Sequence, residues 1–204
     1  MVLDRLRNET QDLHQRIEKA LDMPAICADL STYRRFLCRA LGYYRPIETA
    51  LARFAWPAAG LDFAPRCKVP LLLADLRALG VDATALQQLG QCKALPEPIT
   101  MAGAFGVMYV LEGATLGGQL MLRMVQTGLG LSPARGAAFH HGYGRENGQR
   151  WRAFRACAER NLIDPAQCDE AVQMAQQTFK TYGAWLTADP TPAQPGGQIL
   201  PVAA

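Results

Sequence analysis

The sequence predicts a single all-α domain. Apolar residues recur at helical spacing along nearly the whole chain, and no stretch shows the strict alternation of a half-buried strand. Several prolines and glycines fall at the edges of the periodic segments, where helices begin and end. At 204 residues, half of them apolar, the chain is long enough for one domain with a sizeable core.

The first helix is expected from about Val2 to Leu21, with Leu3, Leu6, Leu13, Ile17 and Leu21 on its stripe. A second begins near Ser31 and carries Tyr33, Phe36, Leu37, Leu41 and Tyr44, and Pro46 is expected to bend or interrupt it. Pro70 suits a first turn and Gly80 a helix end for "PLLLADLRALG". A short helix follows from Thr84 to Leu89. Thr100 is placed to cap a long helix that is apolar on several sides and therefore central, ending at Gly128 and Gly130. "SPARGAAFHHGYGRENGQ" is glycine-rich and reads as a loop. Two more helices run from Trp151 to Asn161 and from Asp164-Pro165 to Leu186. The domain is thus 1–186, followed by a Pro/Gly-rich tail, 187–204.

The formal net charge of +3 gives no case for nucleic acid, though it favours an acidic protein or an anionic small molecule as partner. The six cysteines include no C-x-x-C pair, so neither a zinc site nor a thioredoxin-like motif is signalled. The amino terminus is too polar for a secretory signal, and the apolar run Met101 to Leu111 is too short to span a bilayer. A cytoplasmic protein with reduced thiols is expected.

The stretch "YVLEGATLGGQ" places Gly113, Gly117 and Gly118 inside the long central helix, where each costs about 1 kcal/mol relative to alanine. Close helix crossing explains a small-x-x-x-small pair such as "GATLG", but three glycines exceed what one crossing needs. A flat, bulky ligand against the backbone explains more. His14, on the first helix, has Glu18 one turn later on the same face. A carboxylate there holds one imidazole nitrogen and makes the other a better metal ligand. Such His–Glu pairs also occur on ordinary exposed helices. Arg7, two turns earlier, lies on roughly the same side and is placed to meet an anion. His140 and His141 read as loop residues. Together, one supported histidine and one glycine-lined wall suggest a clamp around a haem, with the position opposite the histidine left open for oxygen.

The same residues resemble the haem oxygenase family. "LRNETQDLHQRIE" is similar to its proximal-helix segment, and "YVLEGATLGGQ" to its distal helix. "GYGRENGQRWRAF" is similar to the small bacterial members associated with phytochromes. The resemblance spans Leu3 to Leu186. It implies the all-α haem oxygenase fold and oxidative opening of haem to biliverdin, with release of carbon monoxide and ferrous iron. It further implies His14 as iron ligand and Glu18 as its partner. Gly113 and Gly117 become the distal glycines, with Gly118 beside them, and Arg7 and Arg155 face the haem propionates. Glu18, Gly113 and Gly117 are then the residues that serve catalysis. Ala114 stands where animal members carry an aspartate. No dinucleotide fingerprint is present, so electrons come from a separate reductase or ferredoxin, and a phytochrome is the expected biliverdin acceptor.

Rival readings differ in chemistry. A non-catalytic haem carrier or sensor would share the haem-binding features. A di-iron oxidase would need E-x-x-H spacing and inward carboxylates, and no such set is found. A thiamin-cleaving hydrolase would need an activated cysteine. A plain helical interaction protein leaves the three glycines unexplained.

Overall fold

The fold is built around one long helix. A computed structural model describes residues 1–188. Among them there are nine α-helices and no β-strand beyond isolated bridges from Ser132 to Arg135 and Gly136. The helices are α1 (Val2–Ala20), α2 (Met23–Ala28), α3 (Leu30–Leu51), α4 (Val69–Ala78), α5 (Ala83–Gln88), α6 (Met101–Leu129), α7 (Ala138–His141), α8 (Asn147–Asn161) and α9 (Pro165–Thr187). The central α6 packs against α2, α7, α8 and most extensively α9, and α9 in turn carries α1. The expected all-α class holds, and no helix among the described residues is long and apolar enough to cross a membrane.

The termini of these helices follow from local chemistry. Thr100 Oγ1 accepts from Gly103 N at 3.2 Å at the start of α6, and Gly130 ends it at φ +64°. Asp164 and Gln167 form a reciprocal capping box at the start of α9. α9 runs to Thr187, one residue beyond the expected end, and most of the expected tail, 189–204, lies outside the described residues.

Where Pro46 was expected to bend or interrupt the second helix, α3 is continuous through it. A proline leaves the carbonyl four residues earlier without its helical donor. Here that carbonyl, Gly42 O, accepts from Cys92 N at 2.9 Å. A glycine is needed at 42, because a Cβ there would lie 2.4 Å from Gly90 O. Similarly, a Cβ on Gly106 would lie 2.1 Å from Ala171 O, so this glycine lets α6 and α9 cross.

The segment expected as a loop before Trp151 is more ordered than its glycines suggest. It holds α7 and a 3-10 turn, Gly144–Glu146, and α8 begins at Asn147. The reason is remote in sequence. The Asp75 carboxylate on α4 accepts from Ala138 N and Phe139 N, both at 2.7 Å, and so caps α7 from outside. The six-residue α2, capped by Asp22, is too short to show a periodicity of its own.

Candidate functional site

A cavity of about 500 Å3 opens between α1 and α6, closed at its ends by α8 and α9. This is within the range of small-molecule and cofactor pockets. Arg7, Thr10, His14 and Glu18 come from α1, and Tyr109, Val110, Gly113 and Ala114 from α6. Trp151, Phe179 and Tyr182 supply aromatic walls.

His14 reaches this cavity because α1 is fastened along α9. Arg5 Nη1 pairs with Asp169 at 2.8 Å, and Gln176 Nε2 donates to Glu9 O at 3.0 Å. The His14 ring stands edge-on to Phe179 at 5.8 Å. Its Nδ1 lies 3.6 Å from Glu18 Oε2, an ion-pairing separation slightly longer than a hydrogen bond. Nε2 is therefore the nitrogen left for a ligand. The histidine side chain remains 57% exposed, so it contributes little to the core.

The glycines of α6 fall into two kinds. Nothing among the described residues lies within 4 Å of the position a Cβ would take on Gly113 or Gly117. Gly113 borders the cavity, and Gly117 follows one turn later on the same face. Gly118 faces elsewhere: its Cβ would sit 2.9 Å from His140 O, so it serves the approach of α6 to α7. Arg7 lines the cavity. Arg155 is not part of its lining, but the charges of Arg155 and Arg7 both act on the Tyr109 phenol. Burial raises that phenol's pKa, and the two guanidiniums oppose the rise. One cation thus lines the cleft, and a second acts on a phenol of its wall. With Ala114 after Gly113, the α6 residues that line the cavity include no acid.

His140, expected as a loop residue, is 3% exposed and packs among Tyr33, Phe36 and Phe139. Its Nε2 has no hydrogen-bond partner among the described residues, and burial pushes its pKa down to about 3. It lies outside the cavity lining.

A second group escaped the sequence reading. Glu112, 2% exposed, accepts from Arg66 Nη1 and from the Tyr143 hydroxyl, each at 2.5 Å. Lys68 Nζ, equally buried, donates to Tyr143 Oη and Arg66 O, both at 2.6 Å. Burial lowers the Lys68 pKa, and the Glu112 and Glu48 carboxylates oppose that. Glu112 sits in an apolar run with its partners some forty residues before and thirty after it, so no local spacing could have found the cluster. Among the described residues, no three His, Cys, Asp or Glu side chains converge as a metal site.

Comparison with known proteins gives a consistent picture. The family model described as "Heme oxygenase" matches residues 1–188. The chain is 30% identical over 166 residues to "Heme oxygenase" of Xanthomonas campestris pv. campestris (strain 8004), covering 80% of this chain and 94% of that one. Among solved structures, it resembles the NO- and CO-bound heme oxygenase from Neisseria meningitidis, with a TM-score of 0.76 at 20% identity over 98% of this chain and 99% of that one. Heme oxygenase from Leptospira interrogans gives 0.72 at 17% identity over 91% and 98%. Heme oxygenase 2 from Chlamydomonas reinhardtii, solved without heme, gives 0.72 at 20% identity over 94% and 99%. At such identities the structures speak to the fold.

Proposed function

The chain belongs to the heme oxygenase family, and we propose that its α1–α6 cavity binds haem and opens it to biliverdin, releasing carbon monoxide and ferrous iron, with electrons from a separate donor. One observation carries the reading. His14, whose Nδ1 faces Glu18, and Gly113, beside which no Cβ would meet a described neighbour, line opposite walls of one cleft, with Gly117 one helical turn beyond Gly113. A planar macrocycle needs that combination: one donor atom below, bare backbone above.

The residues fit the group. His14 Nε2 would hold the iron, while Glu18, on closing from 3.6 Å to hydrogen-bond range of Nδ1, would fix the tautomer and keep the imidazole electron-rich. Arg7 and Arg155 would take the propionates by charge-assisted hydrogen bonds. Trp151, Phe179 and Tyr182 exclude water from the ring faces. Gly113 and Gly117 leave room for a small molecule between the macrocycle and α6, and no second strong ligand lines that wall. When bound, haem supplies both the iron that activates oxygen and the ring that is cleaved; the protein orients it and controls protons. Ala114 supplies no proton, so water admitted beside Gly113 would carry that role.

The unpaired cysteines suit a reducing compartment, the cytoplasm. A ferredoxin or reductase would supply electrons to the basic chain, and a phytochrome would take the biliverdin.

The experiment is an absorption time course. Hemin is added to the purified protein, then an electron donor in air with catalase. Decay of the Soret band with a rising biliverdin band in the red is expected. A stable ferrous or oxygenated spectrum with a competent donor would instead establish a haem carrier or sensor, and would make Ala114 the reason.

A further inference from the structure

The bare face of α6 is held from both ends. Among the described residues, a Cβ on Gly113 or Gly117 would meet no neighbour, and interior glycines weaken a helix by about 1 kcal/mol each. Nothing on that face fixes where the wall stands. Immediately before Gly113, the Glu112 carboxylate is gripped by Arg66 and Tyr143, with Lys68 Nζ 3.5 Å away. Immediately after Gly117, Gly118 lets α6 approach α7, and Gln119 Nε2 donates to His140 O and His141 O, both at 3.2 Å.

Both grips lead to the same element. Arg66 and Lys68 lie just before α4. α7, which receives Gln119, is capped by Asp75 on α4. The Glu48 carboxylate fastens the start of α4 in turn, accepting from Lys68 N at 2.5 Å and Val69 N at 3.3 Å. Two cations and two carboxylates are buried together here, an arrangement that apolar residues often match for stability. What apolar packing would not supply is a directional hold on one residue. We propose that Glu112 and Gln119 are positioning residues, which tie the 113–117 span to α4 and so set where the glycine wall stands over the cavity.

The proposal rests on reading that cavity as the haem site, and its test separates the two. Removing Glu112 would strand two buried cations and risks losing the fold. Tyr143→Phe and Gln119→Leu each remove hydrogen bonds and leave the charge balance intact. Amide hydrogen–deuterium exchange of the haem-free protein is followed for residues 113–118 and, as an internal reference, for α9. The expected result is exchange about tenfold faster in 113–118, with α9 unchanged, as the loss of a buried hydrogen bond predicts. Equal acceleration in both segments, or none in 113–118, would overturn the proposal. A hemin titration of the unaltered protein tests the haem reading by itself. Absence of a Soret shift there would defeat that reading while leaving the exchange result to stand.

Discussion

Gly113→Ala and Gly117→Ala should make the haem-free protein more stable and its haem complex weaker. The magnitude follows from the surroundings of each glycine. Neither has a positive φ, so alanine fits the backbone. Apart from the backbone of their own helix turn, neither has a described atom within 4 Å of the new methyl, so the described residues impose no steric cost. What remains is helix propensity, about 1 kcal/mol per substitution. For a chain of this size that is roughly 2–4 °C in Tm. Gly106→Ala is the internal control, because its Cβ would sit 2.1 Å from Ala171 O. Backbone must move there, at about 1–3 kcal/mol, which outweighs the gain in propensity. Gly118→Ala, at 2.9 Å from His140 O, should fall between the two. Thermal melts without haem and hemin titrations of the same four variants give the assay. Should Gly113→Ala melt earlier than the parent, or bind hemin as tightly, the view of 113 and 117 as a wall kept bare for a ligand is wrong.

Other consequences are open to measurement. His14→Ala should leave the haem-free Tm within about 2 °C, since an exposed side chain contributes within about 0.5 kcal/mol, and should abolish the imidazole-ligated haem spectrum until free imidazole is added. Burial pushes the His140 pKa from an ordinary 6.5 down to about 3, so the unfolded chain binds its proton first and stability falls as pH drops below about 6.5. His140→Leu should remove that loss, and the variant should gain roughly 3 kcal/mol on the parent between pH 7.5 and pH 4.5 in paired denaturant titrations. Asp75, pushed up to about 6 by burial, has the opposite sign below that pH, but it is common to both proteins and cancels from the difference. Pro46→Ala should stabilise by well under the ~3 kcal/mol usual for an interior proline, because Gly42 O already has Cys92 N as donor.

Legibility in the sequence followed the range of the interactions. Caps such as Thr100 and Asp164, the glycine end at Gly130 and the apolar stripes of α1 and α6 are written within a few residues, and each lies where the sequence places it. The His14–Glu18 pair and the Gly113–Gly117 face are equally local, and of these four residues His14, Glu18 and Gly113 line one cavity. Features settled by distant partners were not legible. α7 depends on Asp75, the uninterrupted α3 depends on Cys92, and the burial of His140 depends on Tyr33 and Phe36. Gly118 reads as part of one glycine row with 113 and 117, yet a helix turns each successive residue by about 100°, and that rotation aims it at α7.

The long helix therefore serves two demands that conflict. Packing against α9 and α7 requires glycine at 106 and 118, and there the lost propensity is offset by close backbone contact. Gly113 and Gly117 have no such offset among the described residues, so about 2 kcal/mol of helix stability is given up on the face where the proposed haem would lie. A wall weakened in this way would fluctuate unless held from outside. The Glu112 cluster and the Gln119 bonds lie on the flanks of the weakened span, and none of their residues lines the cavity. Function and support thus occupy different faces of the same two helical turns. Substitutions on the bare face should therefore trade stability against haem binding, whereas substitutions on the supporting face should weaken both.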